Sequence, residues 1–320
     1  MKNLYFCGGS MLTTIRISRY KAFGLNVLSD FPIPELQVDE FDDVAADVVV
    51  RIADLSSYWN DDEFREKQIF IKENIVVFHI PYVAIYEVKN GNEISISPFE
   101  VANIDKIRLY LLSTCMATIL LQRKILPFHA STIAINGKAY AITGSSGVGK
   151  STLAKELINK GYNVLSDDVV GITLSEKNIP IATPSFPCQQ LWKESLDELG
   201  LDSGKYRPIY ENNSKYVIPI HHFKQERMPL AGIFELIKSE NEEIKITKIN
   251  KLERIRTVYN HTFRRSFMEP LGLMEWHFDM VAKMVNKLEF YQIERPITRF
   301  TANELATLLL TTIHKEDSYD

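Results

Sequence analysis

Short apolar blocks recur through the first third of the chain. Asp47-Val-Val-Val-Arg-Ile52, Gln68-Ile-Phe-Ile-Lys72, Ile75-Val-Val-Phe-His79, Val83-Ala-Ile-Tyr-Glu-Val88 and Glu93-Ile-Ser-Ile-Ser97 are rich in β-branched and aromatic residues, and each predicts a strand. Glu73-Asn74 and Asn90-Gly91 punctuate them as turns, the second a strong hairpin dipeptide. The acidic, proline-containing stretch from Asp30 to Asp43 reads as a solvated loop, with partner docking as its functional alternative. The period then lengthens. Ile104, Ile107, Leu111 and Thr118 fall near helical spacing, which predicts a long amphipathic helix over 103–124.

A second pattern begins near Leu126-Pro127. The apolar runs 128–135 and 138–143 flank Asn136-Gly137, a hairpin signature, so the strand over 139–143 is expected to pair antiparallel with its predecessor. That departs from a plain parallel nucleotide-binding sheet. Further strands are predicted at 161–166, 171–174, 215–220, 230–237, 244–249 and 289–294. Helices are predicted at 152–160, 192–199, 252–260, 273–287 and 301–314. The expected class is α/β over 127–320, preceded by a smaller β-rich α+β domain over 1–126 that ends in the long helix.

Composition narrows the function. The chain has 320 residues, 45% hydrophobic and 24% charged, with a net charge of −4, so no electrostatic case for nucleic-acid binding exists. Cys7, Cys115 and Cys188 are odd in number and lack metal-ligand spacing, which points to free thiols in a reducing, cytoplasmic setting. The first ten residues do not read as a signal peptide. The most apolar stretch, 109–121, is too short to span a bilayer and predicts a buried helix, so no membrane partner is expected.

The strongest chemistry lies between the predicted strand and helix at 139–160. Gly144-Ser145-Ser146-Gly147-Val148-Gly149-Lys150-Ser151-Thr152 satisfies G-x-x-x-x-G-K-[ST] at every fixed position. Glycines let the backbone curl so that successive N–H groups point at phosphate oxygens, and the helix N-terminus adds positive potential. Lys150 would reach the β- and γ-phosphates and Ser151 would ligate Mg²⁺, which implies binding of a nucleoside triphosphate.

One helix and one strand later come Asp167 and Asp168, expected to face the loop across one cleft. One carboxylate can hold the Mg²⁺ water shell and the other can accept the proton of an attacking hydroxyl. A switch GTPase would need Asn-Lys-x-Asp. Asn286-Lys287-Leu288-Glu289 ends in Glu, so that class is disfavoured. His129, at the start of the hairpin partner strand, should lie beside the loop and could bond an aspartate or a phosphate.

These features together resemble the HPr serine kinase family, in its C-terminal catalytic domain. The resembling residues are His129-Ala130-Ser131, the loop from Gly144 to Ser151, and Leu165-Ser-Asp167-Asp168. The resemblance implies a fold related to phosphoenolpyruvate carboxykinase, with Asp168 as general base, Lys150 on phosphate and His129 in the active site. It also implies assembly into rings, a homo-oligomer. The family's Glu-Ile-Arg-Gly-Leu-Gly stretch is missing. Ser185-Phe-Pro-Cys-Gln-Gln-Leu-Trp192 stands there, with Glu194 as the nearest carboxylate. The family's arginine-rich segment is also missing, and Lys215 with Arg227 stand in as candidate phosphate or substrate contacts. The opening from Tyr20 to Leu36 and the Phe-His-Ala-Ser hairpin are more similar to HPr kinase-like proteins of lasso-peptide biosynthesis, a branch associated with phosphorylating a serine of a precursor peptide.

The resulting expectation is an ATP- and Mg²⁺-dependent serine kinase of a peptide, with Mg²⁺ between Ser151 and Asp167 and with Asp168 orienting the acceptor. An extended peptide lying along a strand edge of the β-rich section would deliver its hydroxyl there. An HPr-type protein kinase is the related alternative. A small-molecule kinase of the shikimate or gluconate type is a rival, although such kinases are shorter and begin at the loop. A nucleotide-dependent binding module is a second rival, and the acid pair argues against it. Lys205 and Arg207 sit in a Gly/Asn/Ser-rich segment, 201–214, that reads as a lid or a solvated loop.

Overall fold

The computed structural model describes residues 5–7, 10–12, 17–38, 45–209 and 214–317. The chain divides into two compact units: residues 1–127 with 263–278, and residues 128–262 with 279–320. Among the described residues no helix is long and apolar enough to cross a membrane.

The first unit is built on an eight-stranded mixed sheet. Its order is Gln37–Val38, Ser18–Ala22, Leu25–Ser29, Val48–Ile52, Glu93–Pro98, Ala84–Lys89, Ile75–Ile80, Ile69–Lys72. Val48–Ile52 runs parallel to both its neighbours, and the remaining pairs are antiparallel. All five apolar blocks of the sequence pattern are strands here. Asn90 and Gly91 take φ of 56° and 67°, the left-handed pair that an Asn-Gly hairpin turn requires.

The long helix runs from Ile104 to Gln122, but not uniformly. A π-helical turn at Leu111–Cys115 interrupts it. Ser113 and Thr118 turn their hydroxyls back onto the Leu109 and Thr114 carbonyls, the side-chain competition that bends helices. The acidic stretch is only partly solvated where it is described. Phe31, Ile33 and Leu36 are buried, the Tyr20 hydroxyl accepts from the Ile33 N–H, and Glu35 is ion-paired with Arg108. Apolar residues interleaved with the acids anchor the loop, and the remainder, 39–44, lies outside the described residues.

In the second unit, strand Lys138–Thr143 pairs antiparallel with Leu126–Ile135, as the Asn-Gly turn predicts, and parallel with Met228–Ser239 on its other side. Met228–Ser239 runs parallel to Glu289–Pro296 and antiparallel to Pro180–Thr183. Pro180–Thr183 in turn pairs with Val169–Leu174, next to Leu126–Ile135, so five strands close a hydrogen-bonded circuit. Interior strands of this kind are covered on both sides, which explains continuous apolar runs such as Leu230 to Phe234. One face packs on helices Lys150–Asn159 and Ala302–Asp317 through Ile133, Ile142, Leu153, Leu157, Phe234, Leu236, Leu309 and Ile313. A separate three-stranded sheet joins Cys188–Trp192, Lys215–Pro219 and Arg207–Pro208.

The loop after Lys138–Thr143 is pressed against the central strand. A Cβ on Gly144 would lie 2.3 Å from the Leu236 carbonyl oxygen, and Gly144 holds φ at +142°. Val148 is fully buried in the core below. Gly147, in contrast, has φ of +72° and open space around its Cβ position. We therefore expect Gly144→Ala to cost several-fold more stability than Gly147→Ala. The latter should lose about 1 kcal/mol through its positive φ alone. Chemical denaturation of the two variants measures this, and equal losses would contradict the contact with Leu236.

Candidate active site

The phosphate loop leads into a helix, Lys150–Asn159, whose N-terminus has no side-chain cap. Its first N–H groups are thus left for an anion. Ser145, Ser146 and Gly147 form the exposed rim of the loop, and Val148 pins it from beneath. Lys150 is only 7% exposed. Its Nζ donates to the Gly144 and Ser145 carbonyls at 2.9 and 3.2 Å. Burial lowers its pKa, and Asp168 and Asp167 partly oppose that shift. A lysine folded onto loop carbonyls holds the loop curled, and those bonds can be exchanged for phosphate oxygens.

The two aspartates follow strand Asn163–Ser166 and differ sharply. Asp167 is 3% exposed. Its Oδ1 accepts from the Ser131 hydroxyl at 2.9 Å and from the Gln189 amide at 3.1 Å, and its Oδ2 accepts from the Gln190 N–H at 3.0 Å. Burial nevertheless pushes its pKa up, with Asp168 adding to the rise and those hydrogen bonds opposing it. Asp168 keeps 31% of its side chain exposed, with Oδ1 3.3 Å from His129 Nδ1. Burial alone would raise its pKa. The hydrogen bond and charge of His129, with the charges of Lys215 and Lys150, outweigh it and bring the value to about 2.

His129 Nδ1 also lies 2.9 Å from the Asp168 carbonyl. With only oxygen acceptors before it, that nitrogen carries the proton. The position is set by the hairpin: the Ala130 N–H bonds the same carbonyl, and the Thr143 hydroxyl bonds the His129 carbonyl.

Lys215 pairs with Trp192 across the small sheet and places Nζ 5.4 Å from that ring's centroid. It acts electrostatically on both Lys150 and Asp168, so it belongs to the site. Arg227 does not. It is exposed and precedes Met228, at the end of the central strand remote from the loop. Thr143 pairs with Glu235, and eight residues of extended chain back to Arg227 amount to roughly 25 Å. Glu194 is exposed on the short helix Lys193–Glu198 and lines a cleft beside the loop, not the acid pair. Lys205 is exposed and Arg207 lies on a short strand, while 210–213 fall outside the described residues.

Sequence reasoning passed over Gln189, which turns out to be central. Its Nε2 donates both to the Ser151 carbonyl and to Asp167, tying the loop helix to the acid. Its Oε1 is buried without a hydrogen-bond partner among the described residues. An amide carries no catalytic signature in a sequence, so only its position in the run 185–192 pointed here.

The donor set suits a hydrated Mg²⁺. No cluster of three or more His, Cys, Asp or Glu ligands occurs among the described residues. Mg²⁺ does not require one, because it keeps several waters and takes one or two protein oxygens plus phosphates. Ser151 and the Oδ2 of Asp167 can supply those oxygens. The orphaned Gln189 Oε1 needs a proton donor, and a metal-bound water is one.

Residues 122–224 match the family model of the HPr Serine kinase C-terminal domain. An HPr kinase/phosphorylase of Nitrosomonas europaea is 31% identical over 122 residues, 34% of this chain and 36% of the relative. One from Bordetella avium is 32% identical over 144 residues, 41% of this chain and 42% of the relative. The chain thus spans well under two thirds of the length of these curated relatives. The solved Hpr(Ser) kinase/phosphatase of Coxiella burnetii aligns with a TM-score of 0.31 and 15% identity, covering 60% of this chain and 97% of that one. A superposition of that quality does not establish a shared fold. The matched segment holds His129, the phosphate loop, the acid pair, Gln189 and Lys215, and over it this chain is similar to the HPr serine kinase family.

Proposed function

We propose that this chain is an ATP- and Mg²⁺-dependent kinase that phosphorylates a serine hydroxyl of a peptide or protein, on a phosphate-loop fold of the HPr kinase type. The observation that carries this reading is the ionised Asp168, held among His129, Lys150 and Lys215 beside an uncapped helix N-terminus. Such an anion can receive an acceptor hydroxyl, and the cations around it can take the charge of a phosphoryl group in transit.

The residues divide the work. The loop N–H groups and Lys150 hold the triphosphate. Ser151 and Asp167 would hold Mg²⁺, which would supply neutralisation of the charge that develops on the phosphates. Gln189 and Ser131 fix the Asp167 carboxylate so that it does not reorganise during transfer. Asp168 accepts the hydrogen bond of the serine hydroxyl, aligns its oxygen in line with the γ-phosphate, and takes the proton as the new bond forms. Its low pKa makes it a weak base at rest, which a loose, positioning-dominated transfer tolerates. His129, fixed by its Nδ1–H, orients Asp168.

For the acceptor we propose a serine of a ribosomally made precursor peptide of the lasso type. The Gln-containing strand Cys188–Trp192, where the HPr kinase pattern carries a carboxylate, favours a partner other than HPr. A second reading, HPr or a similar small protein, is favoured by what the curated relatives are named for. Mass spectrometry after incubation with Mg-ATP and a precursor-peptide panel, HPr or free hydroxy-metabolites decides between them. Phosphate only on a metabolite would overturn the reading.

Lys150→Ala should lower transfer at least about 10²-fold with the fold intact. Wild-type turnover in a well-folded sample would remove the loop from the mechanism.

Asp168→Asn should abolish transfer while Mg-ATP binding persists, because Asn keeps the shape and cannot take the proton. The depressed pKa has a signed consequence for stability. An acid at about 2 when folded and at the ordinary aspartate value of 3.8 when unfolded stabilises the fold above pH 3.8, and that gain is lost as pH falls toward 2. Asp168→Asn should therefore melt below wild type at pH 7, with the gap closing below about pH 4. A gap constant from pH 7 to 3 would contradict the charge balance.

Gln189→Leu should raise the Mg²⁺ midpoint of the reaction several-fold and cost about 1–3 kcal/mol of stability, because it strips a donor from buried Asp167. A Mg²⁺ titration unchanged from wild type would reduce Gln189 to a packing residue.

A further inference from the structure

Beside the phosphate loop the second unit holds a cleft of about 310 Å³. One wall is the loop and its helix, through Gly147, Gly149 and Thr152. The opposite wall is the chain that leaves strand Glu289–Pro296 and enters the helix Ala302–Asp317. Trp192, Ile297 and Phe300 are 38%, 54% and 40% exposed, and all three converge on this cleft. Scattered singly, such side chains need no explanation. Gathered around one concavity, they mark a surface that expects an apolar, planar guest.

Arg295 stands between this apolar part and the loop. Its Nε donates to the Val148 carbonyl at 2.7 Å and its Nη1 to the Pro296 carbonyl at 3.0 Å. The guanidinium is thereby locked against the loop backbone, and among the described residues Nη2 has no hydrogen-bond partner. A Cβ on Gly149 would lie 3.6 Å from Arg295 Nε, an ordinary contact, and it is the φ of +105° that favours glycine there. On the far side, the Thr152 and Ser195 hydroxyls bond at 2.8 Å and tie the loop helix to the short helix that carries Glu194. The cleft is thus apolar at its mouth, cationic where it meets the loop, and supplied with carboxylate acceptors on one side.

His129, Asp168 and Lys215 are not among its walls. The cleft therefore borders the loop without including the groups that would receive an acceptor hydroxyl, and Lys215 meets it only through the Trp192 ring. We propose that it is the nucleoside subsite of the nucleotide whose phosphates the loop takes. The base, a purine, lies against Phe300, Ile297 and Trp192. Glu194 accepts from ribose hydroxyls or an exocyclic amine, and Arg295 Nη2 meets the phosphate nearest the ribose. The covalent link between phosphate and ribose makes contiguity with the loop a requirement, and this cleft meets it. The proposal rests on the nucleotide-kinase reading and adds its base-recognition residues.

The test uses the full chain and two probes, a non-hydrolysable Mg-ATP analogue and Mg-tripolyphosphate, with affinities measured by calorimetry. Phe300→Ala should weaken the ATP analogue at least about tenfold, the scale of one lost base–aromatic stack. Ile297→Ser should weaken it in the same direction. Tripolyphosphate, which occupies only the loop, should bind both variants as it binds wild type, and this also reports an intact loop. If both variants bind the ATP analogue like wild type, the subsite is wrong and the phosphate-loop reading stands. If both variants lose tripolyphosphate as well, the segment supports the loop and does not read the base, which also overturns the subsite. If the wild-type chain binds neither probe, the nucleotide reading fails and the subsite falls with it.

Discussion

The buried carboxylate of Asp167 is the constraint on which the site depends. A charge removed from water is costly unless every acceptor direction that faces protein is met. Here the donors come from separate parts of the chain: Ser131 on the hairpin strand, and the Gln189 side chain and Gln190 N–H on strand Cys188–Trp192. Gln189 reaches on to the Ser151 carbonyl in the first turn of the loop helix. Folding cannot satisfy Asp167 without bringing loop, hairpin and small sheet into one arrangement. That arrangement is also the one in which a phosphate, a metal ion and an acceptor hydroxyl could meet.

Around this anchor the charges are divided, not simply paired. Asp168 answers to His129, Lys150 and Lys215 together, while Lys150 is also drawn to loop carbonyls. None of these contacts is a closed ion pair of the kind that only stabilises. Each holds a group in a place from which it can transfer its interaction to a ligand. Burial displaces the pKa values of Lys150 and Asp167 in the directions that favour their neutral forms, the pattern of groups gathered at functional sites.

Much of the site could be read from the chain because phosphate binding is a local problem. Strand, glycine-rich turn, lysine and helix are contiguous, and the hairpin that sets His129 beside Asp168 is announced by Asn136-Gly137. Other features were not legible. The amide of Gln189 has no motif, and it matters only because strand Cys188–Trp192 carries it to Asp167. Lys215 and Arg227 looked equivalent as nearby cations, yet the charge of the first acts on Asp168 and the second precedes the far end of a long strand. The acidic stretch after Asp30 looked solvated because its charges are conspicuous, whereas Phe31, Ile33 and Leu36 decide where it lies.

The sequence by itself determined the local elements, the loop chemistry and the antiparallel hairpin, since each depends on neighbours a few positions away and on the φ values glycine and asparagine allow. Only the tertiary structure decided the closed circuit of five strands, the unequal environments of two adjacent aspartates and the gathering of Trp192, Ile297 and Phe300 around one cleft. Those depend on which distant strands share hydrogen bonds and on what each burial leaves unsatisfied, and neither is written in the spacing of residues along the chain.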